Sequence, residues 1–205
     1  MRGDLLDWSR DDVELGFLEQ DLKSLLFSWF DIGFLELEQI TWSAPASLLE
    51  KLIDYEAVHE IKGWSDIKSR LAPNRRCFAF FHPKMPDEPL IFVWVALVNG
   101  MATNIQQLLS GSSSRESSDE VYDTAIFYSI SNAQKGLTGI NFGNFLIKRV
   151  VDKLTQEFSG LKNFSTLSPM PGFLDWLRGR DKDMLQLLEA TQIETIKTLG
   201  LDEDI

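Results

Sequence analysis

Apolar residues along this chain fall into two kinds of block. In the first kind they recur every three or four positions. Leu18, Leu22, Leu25, Leu26 and Trp29 do so, with Glu19, Asp21 and Lys23 between them, which predicts helix through the first forty residues. Phe27, Trp29, Phe30 and Phe34 make that segment strongly aromatic; a core-facing helix is the favoured reading, a partner-binding helix the alternative. Pro45 suits the first turn of a second helix carrying Leu48, Leu49, Leu52 and Ile53. A third, over residues 64–71, stops before Pro73.

The second kind of block is an uninterrupted apolar run. Residues 76–81 and 90–98 are rich in aromatic and β-branched side chains, and the three prolines of residues 83–89 separate them. They predict two antiparallel strands, the longer one covered on both faces. Residues 124–131 form another strand, followed by a glycine-rich turn and an amphipathic helix with Phe145, Leu146, Ile147, Val150, Val151 and Leu154. Residues 163–167 make a short strand, and a helical tail opens at Trp176 and Leu177. The Ser/Gly-rich stretch 110–118 reads as a loop. The order predicts an α/β (α+β) domain with one face of its sheet covered by helices.

Charge narrows the function classes. The chain of 205 residues carries 20 Lys+Arg against 31 Asp+Glu, a net charge of −11. No broad basic face for nucleic acid is expected, and no attachment to an anionic membrane. The one cysteine, Cys77, excludes an internal disulfide and a multi-thiolate metal site. His59 and His82 are the only histidines. The acidic N-terminus, with Asp4, Asp7, Asp11 and Asp12, resembles neither a transit nor a signal peptide. The expectation is a soluble protein of a reducing compartment, the cytoplasm.

The segment with the most chemistry joins the strand at 124–131 to the helix after Gly143. Gly136, Gly139 and Gly143 leave backbone N–H groups open to close approach, and the helix aims its positive end at the same place. A phosphate or pyrophosphate suits such a turn. The spacing is neither the dinucleotide fingerprint nor a P-loop, and tight-turn glycines are the commoner use of the pattern. Arg75-Arg76, Lys135 and Lys148-Arg149 are local positive clusters in an acidic chain, although Lys148 and Arg149 read better as an outer, solvated helix face.

The run Ala125-Ile126-Phe127-Tyr128-Ser129-Ile130-Ser131, then Gln134, Gly136-Leu137, Gly139, Gly143 and Phe145-Leu146-Ile147-Lys148-Arg149-Val150-Val151, resembles the malonyl-CoA decarboxylase family. So do Phe164-Ser165-Thr166-Leu167-Ser168-Pro169-Met170-Pro171-Gly172-Phe173 and, upstream, Ile40-Thr41-Trp42, Tyr55-Glu56-Ala57-Val58-His59, Arg75-Arg76-Cys77-Phe78 and Glu88-Pro89-Leu90. The ordered blocks span about residues 33–176.

The resemblance implies a catalytic domain with a mixed sheet flanked by helices, like that of the acetyl-CoA-dependent N-acetyltransferase (GNAT) superfamily, over residues 41–205. Residues 1–40 would be the remnant of a preceding helical domain that serves oligomerisation. It implies malonyl-CoA as substrate and acetyl-CoA as product, no metal and no cofactor, and a homo-oligomeric intact enzyme. Lys135, Gly136, Leu137, Thr138, Gly139, Ile140 and Asn141 would cradle the CoA pyrophosphate, and Ser165 matches the catalytic serine. The strands at 124–131 and 163–167 would splay apart to admit the pantetheine arm.

The family's proton-donor histidine, in an Asn-Phe-His-Leu motif, has no counterpart, and no histidine follows Ser165. His59 and His82 read as structural. The chain thus reads as the middle of a longer enzyme. A non-catalytic acyl-CoA-binding or oligomerising remnant is the alternative, and a GNAT-type acyltransferase a weaker one.

Overall fold

β3 (Ile91–Val98) sits at the centre of a five-stranded sheet and decides what surrounds it. The computed structural model describes residues 1–10, 12–102, 104–109, 122–140 and 142–178. β3 is bonded along both edges, to β2 (Arg75–Phe81) and to β4 (Thr124–Asn132), antiparallel in each case. Its side chains alternate between two cores. Ile91, Val93, Val95 and Leu97 enter the first; Phe92, Trp94 and Ala96 enter the second. A period of two with both faces buried is why the sequence reads here as an unbroken apolar run.

Helices therefore cover both faces, where the periodicity alone suggested one. On the first face α6 (Gly143–Glu157) buries Leu146, Val150 and Leu154, and Leu26 of α2 (Val13–Trp29) packs beside them. On the second, α3 (Ala46–Tyr55) contributes Leu48, Leu49 and Leu52, α4 (Trp64–Arg70) Ile67, and α5 (Ile105–Leu109) Leu108. β1 (Glu36–Ile40) pairs with β2 antiparallel and β5 (Asn163–Thr166) joins β4 in parallel, giving the sheet order β1-β2-β3-β4-β5. The sheet is thus mixed and flanked by helices.

The helix expected through residue 40 is divided. α1 (Arg2–Trp8) ends early, and α2 restarts at Asp12, whose carboxylate accepts from the Glu14 and Leu15 amides. Residues 36–40 are not helical: β1 (Glu36–Ile40) is an edge strand. Its run Glu36, Leu37, Glu38, Gln39, Ile40 does not alternate cleanly: Leu37 packs against the first core and Ile40, three positions on, enters the second. α2 buries no residue fully and leaves Phe17, Leu18, Phe27 and Trp29 exposed, so only part of its apolar surface faces the core. Met1–Ser168 forms one compact unit; Pro169–Ile205 is a second, in which α7 (Phe173–Arg178) is described. The loop at 110–118 and the tail after 178 lie outside the described residues.

A surface network ties α3 to the turn before β3. Glu88 accepts from the Lys51 ammonium at 2.7 Å, the Tyr55 hydroxyl at 2.8 Å and the Gln134 amide. Partial burial pushes the Glu88 carboxyl up, but Lys51, Tyr55 and Gln134 together hold it below the ordinary glutamate value.

Two stability measurements check this. Leu52→Ala and Leu146→Ala empty opposite faces, so each should cost about 2–5 kcal/mol in denaturant unfolding; a loss under about 0.5 kcal/mol for Leu52→Ala would mean that its face is open. For Glu88, the depressed folded value makes its contribution complete above the ordinary value of 4.5 and lost as pH falls through the folded one. The stability gap between wild type and Glu88→Gln should therefore narrow below about pH 4.5; a gap equal at pH 7 and pH 3 would remove the ionised carboxylate from the account.

Candidate functional site

β4 runs into the glycine turn, and the turn runs into α6. Leu137 and Ile140, both buried, anchor it in the first core. Internal bonds shape it: the Leu137 amide donates to Gln134, the Thr138 amide and hydroxyl to Lys135, and the Ile140 amide to Leu137. Gly139 has φ of 78°, a conformation side chains resist. Phe142 caps α6 with its backbone only, and among the described residues no side chain bonds the first amides. The N-terminus of a 15-residue helix thus keeps its donors for a ligand or water.

The three glycines have different surroundings. A Cβ on Gly139 would lie 3.3 Å from the Lys23 Nζ of α2. One on Gly136 would touch Arg2 and the Gly3 amide of α1 at 3.9 Å, and one on Gly143 would touch Ile91 and Ile130 at 3.8–3.9 Å. Those are ordinary contacts, so neither Gly136 nor Gly143 is held to glycine by its neighbours. Asn141 lies outside the described residues.

Three cations surround the turn. Arg2, almost fully buried, donates to the Gly136 carbonyl and pairs with Glu19 at 2.6 Å. Lys135 is exposed and pairs with Asp7 at 2.6 Å, which holds the Asp7 carboxyl below its ordinary range. Lys23 has no acid partner among the described residues. A cleft of about 280 Å³ beside the turn is walled by Arg2, Leu22, Leu26, Gln134 and Leu137; it is mostly apolar, suited to a chain rather than a phosphate.

The other cations named from sequence are elsewhere. Arg75 is buried, with its guanidinium on the Leu108 and Asn74 carbonyls. Arg76 pairs with Glu157, the last residue of α6, roughly 20 Å along that helix from the turn at 1.5 Å per residue. Lys148 is exposed, and Arg149 lies over the Phe145 ring at 5.9 Å. None of these four serves the turn.

Ser165 stands in β5 opposite Ile126, half-buried, with its hydroxyl 3.5 Å from the Thr166 carbonyl. That is the weak local bond of a strand-end serine. Pairing with β5 stops where β4 bulges. Phe127 matches Thr166, the Leu167 amide donates to the Phe127 carbonyl at 2.9 Å, and from Tyr128 onward β4 has no described strand on that edge. Ser168, exposed, follows immediately. β4 thus runs on past the end of β5 toward the turn, a fork in the hydrogen-bond ladder between Ser165 and the turn. From Ile126 to the end of β4 at Asn132 is six residues, about 20 Å of strand.

Sequence reasoning missed the group that meets this fork from behind. Glu56, the residue closing α3, is buried and accepts from Trp94 Nε1 at 2.9 Å, the Ser129 hydroxyl at 2.6 Å, and the Val58 and His59 amides at 2.9 Å. Its signal was legible: a carboxylate at a helix C-terminus opposes the helix dipole, so something else must hold it. Tyr128 beside it is buried, which pushes its hydroxyl well above the ordinary range. His59 Nε2 is buried without a partner among the described residues, its ring 6.4 Å from Tyr128. His82 Nδ1 accepts the Lys84 amide. No described helix is long and apolar enough to cross a membrane.

Comparison with known proteins fits this arrangement. The family described as "Malonyl-CoA decarboxylase C-terminal domain" matches residues 33–204. The protein named mitochondrial malonyl-CoA decarboxylase from goose (Anser anser anser) is 45% identical over 184 residues, 87% of this chain and 36% of that protein. The one from Mus musculus is 48% identical over 159 residues, 77% of this chain and 32% of its own length. A crystal structure of malonyl-CoA decarboxylase from Agrobacterium vitis superposes with a TM-score of 0.81 at 48% identity, covering 97% of this chain and 48% of that one. The chain spans about a third of the length of these curated relatives and about half of the solved chain. It belongs to the malonyl-CoA decarboxylase family.

Proposed function

We propose that this chain carries the acyl-CoA site of a malonyl-CoA decarboxylase, which converts malonyl-CoA to acetyl-CoA and CO₂. The observation that carries the reading is the joint geometry of the uncapped α6 N-terminus, the turn before it, and the β4–β5 fork leading away from it. In this reading the turn of residues 135–141 takes the pyrophosphate, with Lys23 as the nearest unneutralised cation, and the fork takes the pantetheine arm.

The chemistry asks little of the protein beyond charge placement. The C–C bond to the carboxylate breaks, its electron pair flows into the thioester, and the resulting enolate takes a proton at carbon. The thioester carbonyl is itself the electron sink, so the step is proposed to need neither metal nor organic cofactor. Preorganised donors at the enolate oxygen lower the barrier, and Ser165 is proposed as one of them. The proton donor is not assigned to His59 or His82: His82 sits in the 82–85 turn, and His59 is tied to Glu56 through its backbone. A non-catalytic acyl-CoA-binding role for the 205-residue chain is the second reading, favoured by the absence of an Asn-Phe-His-Leu motif from its sequence.

Homo-oligomerisation of the intact enzyme belongs to the same proposal, with the exposed Phe17, Phe27 and Trp29 of α2 as available surface. So does a reducing compartment, which the buried free thiol of Cys77 fits; the cytoplasm is our expectation, and mitochondrial fractionation of the native protein would replace it.

Two experiments test the reading. In a CO₂-release assay on malonyl-CoA, the 205-residue chain should turn over little, whereas the same chain extended along its reading frame should be active. In that active form Ser165→Ala should lower kcat by about 10²–10³-fold. Loss on Ser168→Ala with Ser165→Ala intact would move the role to the exposed serine at the fork. Separately, Lys23→Glu reverses the charge over Gly139 and should weaken CoA binding about tenfold, with a larger effect at low salt; unchanged affinity in calorimetry would take the pyrophosphate away from this turn.

A further inference from the structure

The register of β4 against β3 changes at one point. Trp94 matches Ser129, but its neighbour Val95 matches Phe127, so Tyr128 is the extra residue of a β-bulge. The first matched pair beyond the bulge, Trp94 and Ser129, is the pair whose side chains both donate to Glu56. The parallel pairing of β4 with β5 ends at the same place, at Phe127 and Thr166. One buried carboxylate therefore grips β4 where its outer edge loses its neighbour.

This carboxylate is costly to keep. It ends α3, where the helix dipole opposes a negative charge, and it lies 8% exposed among apolar residues. Four donors offset that cost. The Ala57 amide adds a second tie from the same loop to β4, reaching the Ser131 hydroxyl at 3.3 Å. An apolar side chain could have joined α3 to the sheet without these demands. What only directional bonds supply is a fixed register and twist for the bulged strand.

We propose that Glu56 is a positioning residue for the acyl-CoA arm: by holding Ser129 and Trp94 together it keeps the edge of β4 beyond Phe127 bent away from β5, so that the fork stays open to the pantetheine chain. This rests on the reading of the fork given above. Glu56 touches no part of the ligand; it acts through Ser129 and the bulge.

The test separates the arm from the nucleotide. Wild type, Ser129→Ala and Glu56→Gln of the 205-residue chain are titrated by calorimetry with CoA and with 3′-phosphoadenosine 5′-diphosphate, which lacks the pantetheine arm. Thermal unfolding of each is recorded alongside. Ser129→Ala removes a single bond and is the variant expected to fold with least disturbance. Both variants should bind CoA roughly three- to tenfold more weakly, the scale of one hydrogen bond to a charged group, while nucleotide affinity stays within about twofold. Unchanged CoA affinity in both variants overturns the inference. So does a parallel fall for both ligands that tracks the loss of thermal stability, since that is what a merely structural clamp would give. If wild type binds neither ligand, the acyl-CoA reading itself fails and the inference goes with it; if wild type binds CoA and the variants match it, only the inference fails.

Discussion

The burial of β3 on both faces is the constraint from which the rest of the structure follows. A strand with two bonded edges and alternating cores cannot meet water anywhere along its length, so each face must find a covering layer. α6 with part of α2 supplies one, α3 and α4 the other. These layers then fix where chain ends and turns fall. α6 covers its face by starting directly after the glycine turn at the end of β4, and that start is its uncapped N-terminus. α3 covers the opposite face by ending beside the middle of β4, and that end is Glu56. The packing demand of one strand thus brings an anion-friendly helix terminus and a buried carboxylate to the two sides of the same neighbouring strand.

Two buried or half-buried carboxylates tie β4 along the stretch from Ser165 to the turn. Glu56 holds Ser129, and Glu88 holds Gln134 just before the turn. Thr138, Lys135 and Gln134 shape the turn by local bonds. Apolar contacts can settle where α3 and α6 lie, but they are non-directional and tolerate small shifts. Hydrogen bonds to a charged acceptor do not. Ties of this kind hold the edge of β4 in one conformation, so that binding there would not have to order it.

Much of this was legible in the sequence, for reasons that differ by element. β3 declared itself because a strand buried on both faces is apolar at every position, β2 and β4 by their aromatic and β-branched runs, and α6 because its stripe has a clean helical period. β1 did not, since its Glu-Leu-Glu-Gln-Ile pattern is too short to outweigh the strong helical period just before it. The second helical layer was hidden as well: the sequence shows that β3 has two apolar faces, but not which helices reach them. The glycine turn was found by its residue types, yet the three glycines looked equivalent. Only coordinates separate Gly139, with positive φ under Lys23, from Gly143, where a side chain would meet Ile91 and Ile130 at ordinary contact distance. Arg75-Arg76 misled because adjacency in sequence says nothing of direction: in a strand they point to opposite faces, one into the core and one toward the far end of α6.

The electrostatics of the turn follow from the chain's acidity. With a net charge of −11, the long-range field repels an anion, and screening over about 8 Å at physiological salt limits that repulsion to nearby groups. Binding is therefore decided by charges within a few ångströms of the turn. Of the three cations there, Arg2 is neutralised by Glu19 and Lys135 by Asp7, so their pairs hold α1 and α2 against the turn more than they attract phosphate. Asp7 is exposed, however, and an exposed, salt-screened ion pair contributes little. A doubly charged pyrophosphate, the ligand proposed above, would offer Lys135 a stronger partner than one solvated carboxylate, so that pair is a weak restraint such a ligand could displace. The buried Arg2–Glu19 pair is not so easily exchanged, because separating it would strand a charge away from water. The turn thus has one fixed cation that shapes it and two movable ones, Lys23 and Lys135, that a ligand's charge can recruit.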